Sequence, residues 1–211
     1  MSNKTKFLSV KVWRTDQEEG KEGFFENFSV PLYQSQTILD LVSWIQQNQD
    51  PTLTYRFACR VGMCGSCAMM VNGEPRWTCR THVNKVLGKY DFIEIAPLRN
   101  LPVIKDLVTD MDKFFEKWIE AEGVFHPSKT KKDKLPRISP NSEKRTEANN
   151  SVECINCAIC YSACDLVSAN PDYLGPAALN RAWSLINDER DSSKNTILEA
   201  VSKGNGCHNC H

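Results

Sequence analysis

The chain has 211 residues, which is enough for one or two domains with their own hydrophobic cores. Lys and Arg together number 26, as do Asp and Glu, so the chain lacks the basic surplus typical of nucleic-acid-binding proteins. Ten cysteines are many for a chain with no recognisable signal peptide and no run of about 18 apolar residues. We therefore expect a cytoplasmic protein without nucleic-acid partners, in which clustered thiols stay reduced and bind metal.

The first hundred residues are predicted to form strands around one helix. Runs rich in β-branched and aromatic residues at 7–13 and 25–32, and alternating faces at 91–95, indicate strands. Thr37 followed by Asp40 is typical of a helix N-terminus, and apolar residues recur behind it at helical spacing. A small sheet gripping one helix, with a cysteine-bearing loop in between, is the β-grasp outline.

The remaining elements follow in chain order. Asn72 and Gly73 predict a tight hairpin turn. After Pro102, apolar residues at helical spacing predict one amphipathic helix: Leu107, Val108, Met111, Phe114, Phe115 and Trp118. Residues near 127–150 are rich in Lys, Ser, Pro and Asn, which predicts a surface linker. Further helices are expected around 180–186 and 196–201.

Four cysteines in the first part of the chain have the spacing C-x4-C-x2-C-x11-C: Cys59, Cys64, Cys67 and Cys79. The first three spacings match plant-type two-iron ferredoxins, whose fourth cysteine comes from farther along the chain. Gly62 and Gly65 allow the backbone to approach a cluster closely, and Arg60 adds positive charge beside it. A structural zinc site normally uses two short cysteine knuckles, and only one is present, so a non-redox zinc protein is the less favoured alternative.

A second run has the bacterial ferredoxin spacing C-x2-C-x2-C-x3-C: Cys154, Cys157, Cys160 and Cys164. Its first three cysteines are expected to wrap one cubane-type cluster, while the fourth ligates another. Asp165 stands where this motif usually has a proline. The final residues, Cys207 to His211, read C-x-x-C-H, which is also the c-type haem attachment pattern. Because haem attachment normally needs export, we interpret them as part of a cluster motif whose remaining cysteines would lie beyond residue 211.

The segments RFACRVGMCGSCAMMVNG, PVIKDL, CINCAICYSAC and NPDYLGPAALNRA together resemble the iron–sulfur subunit of fumarate reductase and succinate dehydrogenase, from about Leu8 onward. The resemblance implies an α+β chain, with an N-terminal β-grasp plant-type ferredoxin domain at 1–105 and a C-terminal α-helical ferredoxin domain at 106–211. The implied ligands are Cys59, Cys64, Cys67 and Cys79 for a [2Fe–2S] cluster, Cys154, Cys157 and Cys160 for a [4Fe–4S] cluster, and Cys164 and Cys210 for a [3Fe–4S] cluster. The residues leave Cys207 and Cys210 as alternatives; we prefer Cys210 because the family often follows that cysteine with the residue type of His211.

The resemblance also implies a function. A subunit of this family has no catalytic side chains and binds no substrate. It relays electrons between a membrane quinone or quinol and an FAD-containing flavoprotein that interconverts fumarate and succinate. It would lie on the inner face of the cell membrane through anchor subunits. Two features favour fumarate reductase over succinate dehydrogenase: the sequence CINCAICYSAC and the absence of tryptophan from 166–169. A related reductase with a different flavoprotein partner is the alternative.

Overall fold

The computed structural model describes residues 6–15, 22–88, 91–134 and 137–209. The chain divides into two compact units. The first is Met1–Met111 together with Cys157–Ala163, and the second is Asp112–Asn156 together with Cys164–His211. The first unit therefore contains a short segment from the second cysteine run, which lies far from the rest of that unit in sequence.

A five-stranded sheet forms the frame of the first unit, in the order β2-β1-β5-β3-β4. The strands of the chain are β1 (Phe7–Arg14), β2 (Phe24–Pro31), β3 (Ala68–Val71), β4 (Glu74–Trp77), β5 (Phe92–Ala96), β6 (Val103–Lys105) and β7 (Val108–Thr109). Within the five-stranded sheet, β1 and β5 are parallel and the other neighbours are antiparallel. The predicted strands and the predicted hairpin are confirmed, and Asn72 and Gly73 take the left-handed conformation that the turn requires.

The helices are α1 (Ile38–Asn48), α2 (Val83–Leu87), α3 (Asp112–Glu120), α4 (Glu143–Val152), α5 (Ile159–Ala163), α6 (Asp165–Ala169), α7 (Pro176–Ile186) and α8 (Lys194–Val201), with a short 3-10 turn at Cys207–Asn209. The predicted helices around 180–186 and 196–201 are confirmed as α7 and α8. Helix α4 begins within the stretch interpreted as a linker. In the part of the chain that the structure describes, no helix combines the length and apolar character needed to cross a membrane.

Helix α1 packs on the sheet as the sequence predicts. The N–H of Asp40 donates to Thr37 Oγ1 at 3.3 Å, and the Asp40 carboxylate accepts the Thr37 N–H at 2.9 Å. This capping box satisfies backbone groups that have no partner inside the helix. The apolar stripe of α1 is fully buried against the inward side chains of β1, which follow the two-residue period of a strand. The shared core comprises Leu8, Val10, Val12, Ile38, Leu41, Val42 and Ile45, among other residues.

The prediction of one helix starting soon after Pro102 is wrong for its first part. Residues 103–109 form the two-stranded β6–β7 hairpin, and the helix begins only at Asp112. Asp106 lies at the turn of this hairpin and has a left-handed conformation. Its carboxylate accepts hydrogen bonds from the backbone N–H groups of Thr15 at 3.0 Å and Thr54 at 2.8 Å. These contacts with distant segments stabilise the hairpin at residues 103–109, although the local spacing of apolar residues predicted a helix there.

The second unit has its own apolar core, formed where α7 packs against α8 and α3. The core residues are Ala121, Leu174, Ala178, Ala182, Leu185, Ile197 and Val201. Pro176 occupies the first turn of α7, where a missing N–H costs no hydrogen bond. The described structure is therefore α+β, with a sheet-based N-terminal unit followed by a helical C-terminal region.

Candidate iron–sulfur sites

The loop between α1 and β3 gathers three of the four cysteines predicted for the first site, and Cys79 lies two residues after the end of β4. Three residues of this loop are left-handed, with φ of 58° at Arg60, 74° at Gly62 and 72° at Gly65. A Cβ on Gly62 would lie 3.0 Å from Arg80 Cγ, so a side chain at this position would press on that of Arg80. The glycines therefore let the loop curl tightly around a small volume.

Backbone N–H groups in the loop converge on a thiol sulfur. Cys59 Sγ accepts the N–H groups of Val61 at 3.4 Å, Met63 at 3.2 Å and Cys64 at 3.3 Å. In turn, the N–H of Cys59 donates to Cys64 Sγ at 3.5 Å. A concave backbone that directs several N–H dipoles at one place stabilises negative charge there, as thiolate and sulfide sulfurs require.

The thiols of this loop sit in two different environments. Cys64 is exposed, and the Ser66 hydroxyl, followed by the backbone N–H of Cys59, lowers the pKa of its thiol to about 6. Cys67 and Cys79 are buried and pack with Leu39 and Tyr55. Burial, followed by the hydrogen bond with Cys67, raises the pKa of the Cys79 thiol to about 11. One edge of the site thus reaches the surface, and the opposite edge is closed by the core.

Arg60 anchors the loop to helix α1. One of its guanidinium nitrogens donates to the hydroxyl of Ser43 at 3.3 Å, and another lies 3.8 Å from the Asp40 carboxylate. The guanidinium also lies 5.1 Å from the ring centre of Phe57, and Phe57 stacks on Tyr55. The charge of Arg60 beside the cysteines was expected from the sequence. The contact of Arg60 with the buried Ser43 was not expected. No sequence pattern indicates that a residue on a helix will contact a residue in a later loop.

The donor set fits a two-iron cluster. Four thiols are available, and such a cluster is held by four cysteine thiolates. Among the residues that the structure describes, no three or more His, Cys, Asp or Glu side chains are gathered as a single metal ion would need. A two-iron cluster does not require that geometry, because it spreads its four thiolates over two iron atoms. The N–H groups around Cys59 supply the hydrogen bonds that cluster sulfurs favour.

The second cysteine run is shared between the two units. Cys157 and Cys160 belong to the first unit, whereas Cys154 and Cys164 belong to the second. Asn156 and Ala158, on either side of Cys157, are both left-handed with φ of 58°. A buried alanine in this conformation is strained, and such strain is typical of backbone that wraps a ligand. Cys207 is exposed in the second unit, while Cys210 and His211 lie outside the described residues.

Sequence reasoning missed Ser66 as a participant in the first site. Its Oγ lies 3.0 Å from Cys64 Sγ, which is within hydrogen-bond distance for sulfur. The only signal available was its place between two cysteines in C-G-S-C, where a hydroxyl can reach a neighbouring thiolate.

The sheet, the helix packed on it and the cysteine loop define an iron–sulfur protein of the two-iron ferredoxin class. Residues 9–116 match a family model described as a 2Fe-2S iron-sulfur cluster binding domain. The fumarate reductase iron-sulfur subunit of Haemophilus influenzae is 32% identical over 96% of this chain and 82% of its own length. A mitochondrial succinate dehydrogenase [ubiquinone] iron-sulfur subunit of Oryza sativa is 34% identical over 98% of this chain and 73% of its own length.

Comparison with solved structures gives the same result as comparison with the sequence relatives. A chain in the structure titled Mycobacterium smegmatis Sdh1 complex in the apo form superposes with a TM-score of 0.79 at 27% identity, covering 93% of this chain and 82% of that one. The chain belongs to the family of fumarate reductase and succinate dehydrogenase iron–sulfur subunits. It is an electron-transfer subunit of that oxidoreductase complex, as the sequence motifs indicated.

Proposed function

We propose that Cys59, Cys64, Cys67 and Cys79 are the ligands of the [2Fe–2S] cluster. The observation that carries this proposal is the convergence of three backbone N–H groups on Cys59 Sγ, in a loop that also brings Cys64 beside it. Cys67 and Cys79 add a buried pair of thiols on the core side. When bound, the cluster supplies one-electron transfer, while the loop holds the sulfurs and excludes water from their inner edge.

The second part of the proposal concerns two further clusters. Their proposed ligands are Cys154, Cys157 and Cys160 for a [4Fe–4S] cluster, and Cys164 and Cys210 for a [3Fe–4S] cluster. The spacing of the run and the left-handed backbone at Asn156 and Ala158 support this assignment. Cys207 is then an additional thiol on the surface of the second unit.

The proposed partners follow from the complex to which the relatives belong. One is a flavoprotein subunit with FAD, where fumarate and succinate interconvert, and the other is a membrane anchor that binds quinone. Electrons pass between these partners through the bound clusters, and the side chains of this chain take no part in substrate chemistry. The chain is then peripheral to the inner face of the cell membrane, held there by the anchor. The sequence of the second cysteine run favours fumarate reductase over succinate dehydrogenase.

The test is electron paramagnetic resonance of the chain purified anaerobically with its partners, combined with metal analysis and assays of both fumarate and succinate. We expect two-iron and four-iron signals after reduction, a three-iron signal after oxidation, and turnover of fumarate. A colourless product with zinc and no iron would contradict the cluster assignment. Intact clusters in a complex that turns over neither dicarboxylate would instead indicate a related reductase with another flavoprotein.

A further inference from the structure

Helix α5 lies in the sheet-based unit although its sequence belongs to the second cysteine run. The segment Cys157–Ala163 is part of the same compact unit as the cysteine loop at 59–67. Cys160 lies within α5, and Cys157 lies in the irregular segment that leads into it. Nearly fifty residues separate this segment from Met111, where the rest of the unit ends. Specific contacts must therefore hold the segment in place.

Those contacts come from the stretch that follows strand β5. The side-chain amide of Asn100 donates to the carbonyl oxygen of Tyr161 at 3.0 Å and to that of Ser162 at 3.5 Å. The N–H of Arg99 donates to Ser162 Oγ at 2.9 Å. The last carbonyls of a helix have no partner inside it, and Asn100 supplies a donor to two of them.

A third contact reaches the sheet itself. The hydroxyl of Ser162 donates to the sulfur of Met70, on strand β3, at 3.4 Å. Ser162 and Tyr161 are almost fully buried, so solvent cannot replace these hydrogen bonds without opening the packing. Asn100 has a φ of 66°, a left-handed conformation that asparagine adopts more readily than most residues.

We infer that Asn100 and Ser162 are positioning residues that fix Cys157 and Cys160 within the unit that holds the two-iron loop. This inference rests on the proposed function, because it takes Cys157 and Cys160 as ligands of the four-iron cluster. Through these contacts, the plant-type domain holds part of the second cluster's ligand set as well as its own. Loosening them should make the four-iron cluster labile before the two-iron cluster is affected.

The experiment compares three variants of the full chain with anaerobically assembled clusters. Asn100→Gly removes the amide but keeps the left-handed backbone, because glycine adopts positive φ freely. Ser162→Ala removes the buried hydroxyl. Asn72→Gly is the matched control: Asn72 is also left-handed, with φ of 49°, and the hydrogen bonds of its side chain join Val86 and Glu94.

The readout is the rate at which an iron chelator removes each cluster, followed through the separate four-iron and two-iron resonance signals. In Asn100→Gly and Ser162→Ala, we expect loss of the four-iron signal to be at least about fivefold faster, because each variant removes two hydrogen bonds and one ordinary hydrogen bond corresponds to about that factor. The two-iron rate should stay unchanged in both. Asn72→Gly should not accelerate loss of the four-iron signal selectively.

Equal acceleration of both clusters in Asn100→Gly, as for a general loss of stability, would overturn the positioning role. So would an unchanged rate of four-iron loss in both Asn100→Gly and Ser162→Ala. If the unsubstituted protein, purified anaerobically with its partners, held the two-iron cluster but no four-iron cluster, the ligand assignment would be overturned, and this inference with it. That result would be seen before any variant is made. Failure of the ligand assignment can therefore be distinguished from failure of the positioning role.

Discussion

The hydroxyl oxygen of Ser66 lies 3.0 Å from the sulfur of Cys64, at the exposed edge of the two-iron loop. Against a thiolate the hydroxyl can only donate, and a donated hydrogen bond stabilises the more negative, reduced state of a cluster. We expect Ser66→Ala to lower the midpoint potential of the two-iron cluster by on the order of 50 mV. Potentiometric titration followed by electron paramagnetic resonance measures this shift.

Ser66→Thr is the matched control, because threonine keeps the hydroxyl. Its potential should stay close to that of the unsubstituted chain. If the alanine and threonine variants shifted the potential equally, packing rather than the hydroxyl would be responsible.

Replacing one proposed ligand should distinguish the two-iron cluster from the other clusters by their resonance signals. In Cys64→Ser, we expect the two-iron resonance signal to change strongly or disappear, while the four-iron and three-iron signals remain. The reason is that Cys64 lies in the loop with Cys59 and has no part in the second cysteine run. Cys207→Ser is the control, since Cys207 is proposed as an additional thiol and its loss should leave every signal intact. Simultaneous loss of all signals in Cys64→Ser would point to misfolding instead.

Glycine conformation offers a test of the loop geometry. Gly62 and Gly73 both have positive φ, at 74° and 83°, so alanine at either position should cost about 1 kcal/mol of unfolding free energy. Only at Gly62 would the new methyl also press on Arg80, since nothing lies within 4 Å at Gly73. We therefore expect Gly62→Ala to reduce iron content as well as stability, whereas Gly73→Ala keeps its iron. Urea unfolding and iron analysis measure the two effects, and iron loss of the same size in both variants would contradict the steric argument.

Arg14 joins three acidic side chains of the first unit: Glu26, Asp50 and Asp106. The side chain of Asp106 is only 3% exposed, so removing Arg14 leaves a buried carboxylate without its cation. We expect Arg14→Met to lower the free energy of unfolding by about 3 kcal/mol. Arg76→Met is the control, because its partner Glu74 is mostly exposed and such surface pairs contribute about 0.5 kcal/mol.

The pH dependence of the Arg14 effect has a definite sign. The hydrogen bond from Arg14 is the main cause that lowers the pKa of Asp50 to about 2. A carboxylate with a lowered pKa contributes its full stabilisation above its unfolded pKa, and loses it only as the pH falls toward the folded value. The difference between Arg14→Met and the unsubstituted chain should therefore stay constant between about pH 6 and pH 8. A difference that changed across this range would mean that another group titrates.

The sequence was informative wherever neighbours along the chain decide the structure. The alternation in β1, the capping box of Thr37 and the Asn72-Gly73 turn all depend on residues within a few positions of each other. The cysteine loop is similar, because its ligand spacing and its glycines lie within nine residues of sequence. Local spacing therefore predicted the strands, α1 and the first site together.

Long-range contacts account for what the sequence did not reveal. Leu107 and Val108 fit a helical stripe, but Asp106 binds Arg14 and the backbone of distant segments, and a hairpin forms instead. The packing of α5 on the sheet depends on Asn100 and Ser162, which are 62 residues apart. No periodicity links such positions, so only a folded structure can reveal them.

The parallel pairing of β1 with β5 has a consequence for how the protein matures. Ser9 pairs with Phe92, so β1 finds this neighbour only after more than eighty further residues have been made. All four thiols of the first site lie inside the segment that this pairing closes. Late, non-local closure of this kind is slow compared with helix formation. During synthesis the thiols should thus remain open to iron donors and oxidants until β5 has left the ribosome and paired with β1, which makes that interval the vulnerable stage of assembly.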